Sequence, residues 1–382
     1  MAVLAIESLV DSWVLGLALR SMGLTTVSVK ALDVLDDMAA EDVGCVVTSI
    51  AEALPRSVFP GVKCKYMQIP QQMHLGMAEK GTPELPDIVP GGAHILTTSG
   101  TTGIKKKVLI DEHHLMAVVA RRAEVYGIGA DAVVNVFDFA LWTGVGYKMP
   151  ACAWNVGATI VLHQWPGRHK SLLCEGLTHA YFTPGTLSEV LRAPSEELVR
   201  NDALQVFVGG GPLPRSHAVE ARERLSARLF TYIGSTECGP WALTPITGED
   251  DLKSHCLLPG LDIQVVDDED RPLSEGQMGA VRIRTPDMVT GYLDDAEASD
   301  VAFRNGFFYS GDLGSFDADG RLALYGRSGN VINVLGTNST STFSGHVAVQ
   351  NFSAAGTTTL GNTIITQATT SNFAVTSATS AI

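Results

Sequence analysis

Eleven consecutive residues of this 382-residue chain have the types and spacing to hold an anion: Thr97-Thr98-Ser99-Gly100-Thr101-Thr102-Gly103-Ile104-Lys105-Lys106-Lys107. Apolar runs flank them, His94-Ile95-Leu96 before and Val108-Leu109-Ile110 after. Glycine lets a backbone turn tightly and approach a ligand. Successive N–H groups in such a turn form an anion-binding concavity. Five hydroxyls add donors and three lysines add charge. The pattern suits phosphate, yet it lacks the Walker spacing G-x-x-x-x-G-K-[ST]. A polar hairpin with a solvated lysine tip is the plain alternative, since Gly/Ser/Thr-rich stretches commonly form turns.

Four further segments carry chemistry-capable residues. Val208-Gly209-Gly210-Gly211-Pro212-Leu213 follows a predicted strand, where α/β sheets bring backbone to ligands. Thr231-Tyr232-Ile233-Gly234-Ser235-Thr236-Glu237 ends in a hydroxyl and a carboxylate. A carboxylate beside phosphate is the usual protein share of a Mg²⁺ site. Phe307-Phe308-Tyr309-Ser310-Gly311-Asp312-Leu313-Gly314 carries a carboxylate, a strong hydrogen-bond acceptor, after a glycine. Tyr325-Gly326-Arg327-Ser328-Gly329 places a guanidinium beside a glycine able to swivel. Singly, each could be an ordinary turn.

Taken in order, the five segments resemble the motifs of the adenylate-forming enzymes: acyl-CoA synthetases, peptide-synthetase adenylation domains and luciferases. Lys105-Lys106-Lys107 replaces that family's usual Pro-Lys-Gly, and Ser310 its usual Thr. Ile233 stands in the aromatic position and Tyr232 one residue before it. Asn333 replaces a common Lys. Met288-Val289-Thr290-Gly291-Tyr292 resembles a Gly-Tyr turn to which we assign packing.

The resemblance implies Mg²⁺ and ATP as cofactors, a carboxylic-acid substrate, and coenzyme A or a carrier-protein pantetheine as acyl acceptor. It implies that Thr98, Ser99, Gly100, Thr101, Thr102, Gly103 and Lys106 hold pyrophosphate. Gly209, Gly210, Gly211, Pro212, Tyr232, Ile233, Gly234 and Ser235 would frame adenine. Thr236 and Glu237 would meet the α-phosphate and the metal, and Asp312 and Arg327 the ribose. Phe137, Phe139, Trp142 and Gly144 would line the acyl pocket, or equally belong to the core.

The resemblance covers residues 1–336, beginning late in the family's pattern and stopping before its lysine-bearing lid domain. Residues 337–382 contain no Asp, Glu, Lys or Arg but 12 Thr and 7 Ser. We expect this polar tail to be an unrelated join or fusion. On that basis the chain should bind ATP, adenylate slowly and transfer to thiol poorly unless a separate lid domain acts in trans. A nucleotide-binding pseudo-enzyme and a surface protein with a recruited domain are the rival classes.

Composition narrows the setting. A net charge of −14 disfavours non-specific binding to nucleic acid or anionic membrane. Six cysteines without a C-x-x-C pair argue against zinc and a disulfide scaffold, and suit the cytoplasm. The apolar N-terminus carries Glu7 and Asp11, so residues 5–22 read as a core-facing helix rather than a membrane span.

The elements that must position these residues read as a layered, mostly parallel α/β fold. Strands are expected at Thr25–Val29, Cys45–Ile50, Cys64–Ile69, Val133–Phe139, Ala158–His163, Gln205–Val208 and Leu229–Ile233. Helices are expected at Leu115–Tyr126, Leu187–Arg192 and Ser216–Leu229. From about Pro259 short alternating strands predict a small antiparallel or barrel-like subdomain. The expected organisation is thus 1–258 α/β core, 259–325 β-rich subdomain, 326–336 hinge and 337–382 tail.

Overall fold

A computed structural model describes residues 1–30, 43–49, 65–69, 89–98, 106–136, 139–162 and 167–327, together with two short strands near the C-terminus. Two compact units emerge, Met1–Gly329 and Asn330–Ile382. In the second, strands at Ser341–Phe343 and Thr358–Leu360 pair in parallel.

The first unit begins with a six-stranded sheet built from β1 (Ala2–Ala5), β2 (Thr25–Ser28), β3 (Cys45–Thr48), β4 (Lys65–Gln68), β5 (Ala93–Thr98) and β6 (Lys106–Asp111). Their order across the sheet is β4-β3-β1-β2-β5-β6. All pairs are parallel except β5–β6, an edge hairpin in register from Ala93↔Asp111 to Thr98↔Lys106. Helix α1 (Leu9–Ser21) starts where the Ser8 side chain caps Asp11 N–H. The helix expected over 5–22 is therefore corrected at its start. Val3 and Leu4 are central strand residues buried on both faces, and such apolar runs do not alternate.

Helix α2 (Glu112–Tyr126) leaves the hairpin directly, capped by Asp111 and closed by Gly127 in the left-handed conformation. A second sheet follows. Its elements are β7 (Val133–Asn135), α3 (Gly144–Asn155), β8 (Thr159–Val161), β9 (His179–Phe182), α4 (Pro184–Leu191), β10 (Gln205–Gly209), α5 (Arg215–Arg224), β11 (Leu229–Ser235) and β12 (Gly239–Pro245). The strand order is β12-β11-β10-β9-β7-β8, with only β11–β12 antiparallel. Helix α3 was not expected, and α5 stops at Arg224 rather than reaching Leu229. Val118, Val119 and Ala123 of α2 and Met149, Cys152 and Ala153 of α3 are buried over this sheet.

An antiparallel sheet completes the unit. It contains β13 (Asp262–Val266), β14 (Gly279–Arg284), α6 (Ala296–Ala302), β15 (Phe303–Arg304), β16 (Phe307–Phe316) and β17 (Leu322–Arg327). The fold is thus mixed: two largely parallel α/β sheets and one antiparallel sheet.

Candidate active site

The site is built where β10 and β11 end. Gly209 pairs with Tyr232, and a Cβ on Gly209 would stand 2.4 Å from the tyrosine ring. Only glycine allows the ring to lie there. Tyr232 is 8% exposed and meets Tyr126 and Tyr181 edge-on, at 6.0 Å from each. Tyr232, one of the residues expected to frame adenine, is thus packed into the core here. Strand alternation sends its neighbours the other way. Ile233 is half-buried, while Gly234, Gly210, Gly211 and Pro212 are exposed. A Cβ on Gly234 would strike the Gly239 carbonyl at 2.6 Å, so this hairpin requires glycine.

The turn from β11 into β12 carries the chemistry. Ser235 Oγ accepts the Cys238 amide at 3.1 Å and fixes the turn. Thr236 Oγ1 would lie 3.1 Å from a Cβ on Gly144, so α3 begins against that hydroxyl. Glu237 is 7% exposed, and its Oε1 accepts the Tyr292 hydroxyl at 2.9 Å. Among the described residues Oε2 has no such hydroxyl partner. The Tyr292 ring in turn lies 4.7 Å from Lys106 Nζ. The hydroxyl of Tyr292 resists ionisation because it is buried and faces the Glu237 charge.

Lys148 was not foreseen in the sequence. It sits on α3 with 0% exposure, and Nζ donates to the Thr236 carbonyl at 3.0 Å. Burial, then Arg122, lowers its pKa to about 7, against the pull of Asp287, Cys238 and Glu237. Asp287 receives Arg121 at 2.8 Å, yet burial outweighs that pairing and raises its pKa. A Cβ on Gly239 would meet Asp287 Oδ2 at 2.8 Å, which closes the space behind the turn.

Asp312 and Arg327 are register partners on β16 and β17, and Arg327 Nε lies 3.4 Å from Asp312 Oδ1. Gly311 takes a positive φ of 77°, and Ser310 Oγ accepts the Asp312 amide at 3.2 Å.

Three expected residues, Lys106, Thr236 and Glu237, are thus brought into one region, and Asp312 and Arg327 are paired with each other. Thr98 lies directly across the hairpin from Lys106. Ser99, Gly100, Thr101, Thr102, Gly103 and Phe137 lie outside the described residues. Phe139 packs on the core beneath α2 and α3, Trp142 is half-buried, and the Trp142 carbonyl accepts the Thr97 amide at 3.3 Å. Tyr292, assigned to packing, does pack against the buried clusters, and it also stands between Lys106 and Glu237. Its hydroxyl partner is 55 residues away in the chain, which no local pattern reveals.

Residues 24–293 match the family model described as AMP-binding enzyme. The chain belongs to that family. An indoleacetate–CoA ligase from Aromatoleum aromaticum is 24% identical over 250 residues, which is 64% of this chain and 49% of that protein. A long-chain-fatty-acid–CoA ligase from Escherichia coli O157:H7 is 26% identical over 267 residues, 66% of this chain and 47% of the relative. The chain spans about half the length of these curated relatives. Among solved structures, ATP-bound MatB from Rhodopseudomonas palustris superposes with a TM-score of 0.73 at 20% identity, covering 87% of this chain and 69% of that one. An O-succinylbenzoate coenzyme A synthetase from Bacillus subtilis, in complex with AMP, gives 0.70 at 20% identity, with the same coverage. These likenesses establish the AMP-binding fold. Among the described residues no helix is long and apolar enough to cross a membrane.

Proposed function

We propose that this chain activates a carboxylic acid with ATP, forming an acyl-adenylate and releasing pyrophosphate. Membership in the AMP-binding family supports the reaction class. The observation that carries the reading is the convergence of Lys106 and Glu237 on Tyr292. A carboxylate oxygen of the acid attacks the α-phosphorus, and the bond to the β-phosphate oxygen breaks. The acid is itself the nucleophile, so the protein's work is positioning and charge neutralisation.

Each residue then has a task. The stretch Thr98, Ser99, Gly100, Thr101, Thr102, Gly103 holds the leaving pyrophosphate, with Lys106 as its fixed charge. Thr236 donates its hydroxyl to the α-phosphate. Gly209, Gly210, Gly211, Pro212, Ile233, Gly234 and Ser235 frame adenine. Asp312 accepts from the ribose hydroxyls and Arg327 orients it. Phe137, Phe139, Trp142 and Gly144 line the acid's entry. Glu237 fits Mg²⁺, because one carboxylate oxygen is tied to Tyr292 and the other, without a hydroxyl partner among the described residues, suits a hard cation shared with phosphate. When bound, the cation would neutralise charge on the phosphates. Among the described residues no group of three His, Cys, Asp or Glu gathers to hold a metal without substrate.

The acceptor of the acyl group is coenzyme A or a carrier pantetheine, with a lid domain able to act in trans. Five described cysteines are free thiols, in keeping with a cytoplasmic setting. The test is acid-dependent ATP–pyrophosphate exchange over a panel of aryl and fatty acids. Exchange with at least one acid, lost in Glu237→Gln, is expected. ATP binding without exchange for any acid would make the chain a nucleotide-binding pseudo-enzyme.

A further inference from the structure

The segment Val289–Asp294 is fastened at both ends to the two halves of the site. At one end the Val289 amide donates to the Glu237 carbonyl at 2.8 Å. At the other, the Leu293 amide donates to the Lys107 carbonyl at 2.8 Å, and Lys107 Nζ pairs with Asp294 at 3.3 Å. Tyr292 stands between these anchors. Its amide donates to Ser299 Oγ at 2.8 Å and its ring meets Phe303 edge-on at 5.4 Å, so the side chain is held from behind by α6 and β15.

From that fixed base Tyr292 makes two different contacts. Its hydroxyl donates to Glu237 Oε1, on the turn after β11. Its ring face lies under the Lys106 ammonium, at the foot of the glycine-rich loop. Cations favour the electron-rich face of an aromatic ring. One side chain thus touches the carboxylate read above as the metal's partner and the lysine read as the phosphate's partner.

We propose that Tyr292 is a positioning residue that couples the phosphate loop to the Glu237 carboxylate, so that binding of the divalent cation and binding of the ATP phosphates reinforce each other through it. The inference rests on the reading of Glu237 and Lys106 given above. The division of labour is chemical. The hydroxyl sets which Glu237 oxygen stays available, and the ring sets where the Lys106 charge sits when no phosphate competes for it. A purely structural role would need the ring and not the hydroxyl.

The test is calorimetric titration of the full chain with ATP, with AMP, and with ATP at rising Mg²⁺, which reads binding rather than turnover. Wild type should bind ATP more tightly as Mg²⁺ rises. Tyr292→Phe keeps the ring and removes the hydroxyl. It should lower that Mg²⁺-dependent tightening by about ten-fold, the scale of one hydrogen bond to a charged group. Its Mg²⁺-free ATP and AMP affinities should stay within about two-fold of wild type, because the ring is retained. Tyr292→Leu removes both contacts and should also weaken Mg²⁺-free ATP binding by roughly three-fold, while sparing AMP. Thermal midpoints are recorded beside each titration, and the isosteric Phe variant guards against misfolding of the Leu variant. Undiminished Mg²⁺ tightening in Tyr292→Phe overturns the inference while leaving the adenylation reading intact. Undiminished tightening in Glu237→Gln, or no ATP binding by wild type, overturns the reading of the site and the inference with it.

Discussion

Lys106 and Lys107, adjacent after the glycine-rich loop, are not equivalent once folded. Lys107 is spoken for by Asp294, whereas Lys106 rests on a neutral ring that phosphate can outcompete. Replacing Lys105, Lys106 and Lys107 together by Ala should abolish ATP binding. Lys106→Ala alone should account for most of the loss, at least ~10-fold in Kd by calorimetry, given that exposed pairs such as Lys107–Asp294 contribute only ~0–1 kcal/mol. Equal losses for Lys106→Ala and Lys107→Ala would contradict this ranking. Lys148 calls for a different measurement. Its pKa in the folded chain is held near 7, against 10.5 when solvated. Between those values the unfolded chain keeps a proton that the folded chain has released, so this residue makes stability rise with pH across that window and fall as pH drops towards 7. The slope is at most ~1.4 kcal/mol per pH unit for one group. Thermal melts from pH 7 to 10 should show less of that rise in Lys148→Met than in wild type. Parallel curves would mean that Lys148 does not release its proton on folding.

At the scale of elements, the start of α3 separates function from stability within one turn. A Cβ on Gly144 would press on Thr236 Oγ1 at 3.1 Å, a side chain that can yield. A Cβ on Gly146 would sit 2.1 Å from the Ala140 carbonyl and 2.2 Å from that of Phe139, which cannot. Gly144→Ala should raise the KM for ATP several-fold with little change in Tm, whereas Gly146→Ala should cost at least ~2 kcal/mol of stability by overpacking. The reverse ranking in melts would count against this account. This same helix shows why some elements were legible in the sequence and others were not. It carries two glycines and an internal Pro150, residues of poor helix propensity, and is sustained instead by burial of Tyr147, Met149, Cys152 and Ala153. Helix α2 announced itself through periodic apolar residues, and β10 and β11 through apolar runs ending in Gly209 and Gly234. The loop motif and the Thr236-Glu237 pair could be read because their chemistry is local. Tyr292, Lys148 and Asp287 could not, since each acquires its partner from a distant strand or helix. The first strand was hidden by sharing an apolar run with the helix after it.

The molecule as a whole divides at Gly329, and the site residues described here all lie before that point. The polypeptide 1–329 should therefore melt at the same midpoint as the full chain and bind ATP equally well, read by circular dichroism and calorimetry. A substantial drop in either would show that residues after 329 support the first unit. The −14 net charge sets a second molecular trait, since approaching ATP meets a net repulsive field that basic side chains such as Lys106 must relieve locally. One architectural detail has a practical use. The glycine-rich loop closes a hairpin at the edge of the first sheet, its feet locked at Thr98↔Lys106 with seven residues between them. β6 is the outermost strand of that sheet. Doubling the loop's length would add only ~0.6 kcal/mol of closure entropy. Loops from other AMP-binding proteins can be transplanted between these two feet, opening the grip on pyrophosphate to directed evolution while the sheet beneath keeps its register.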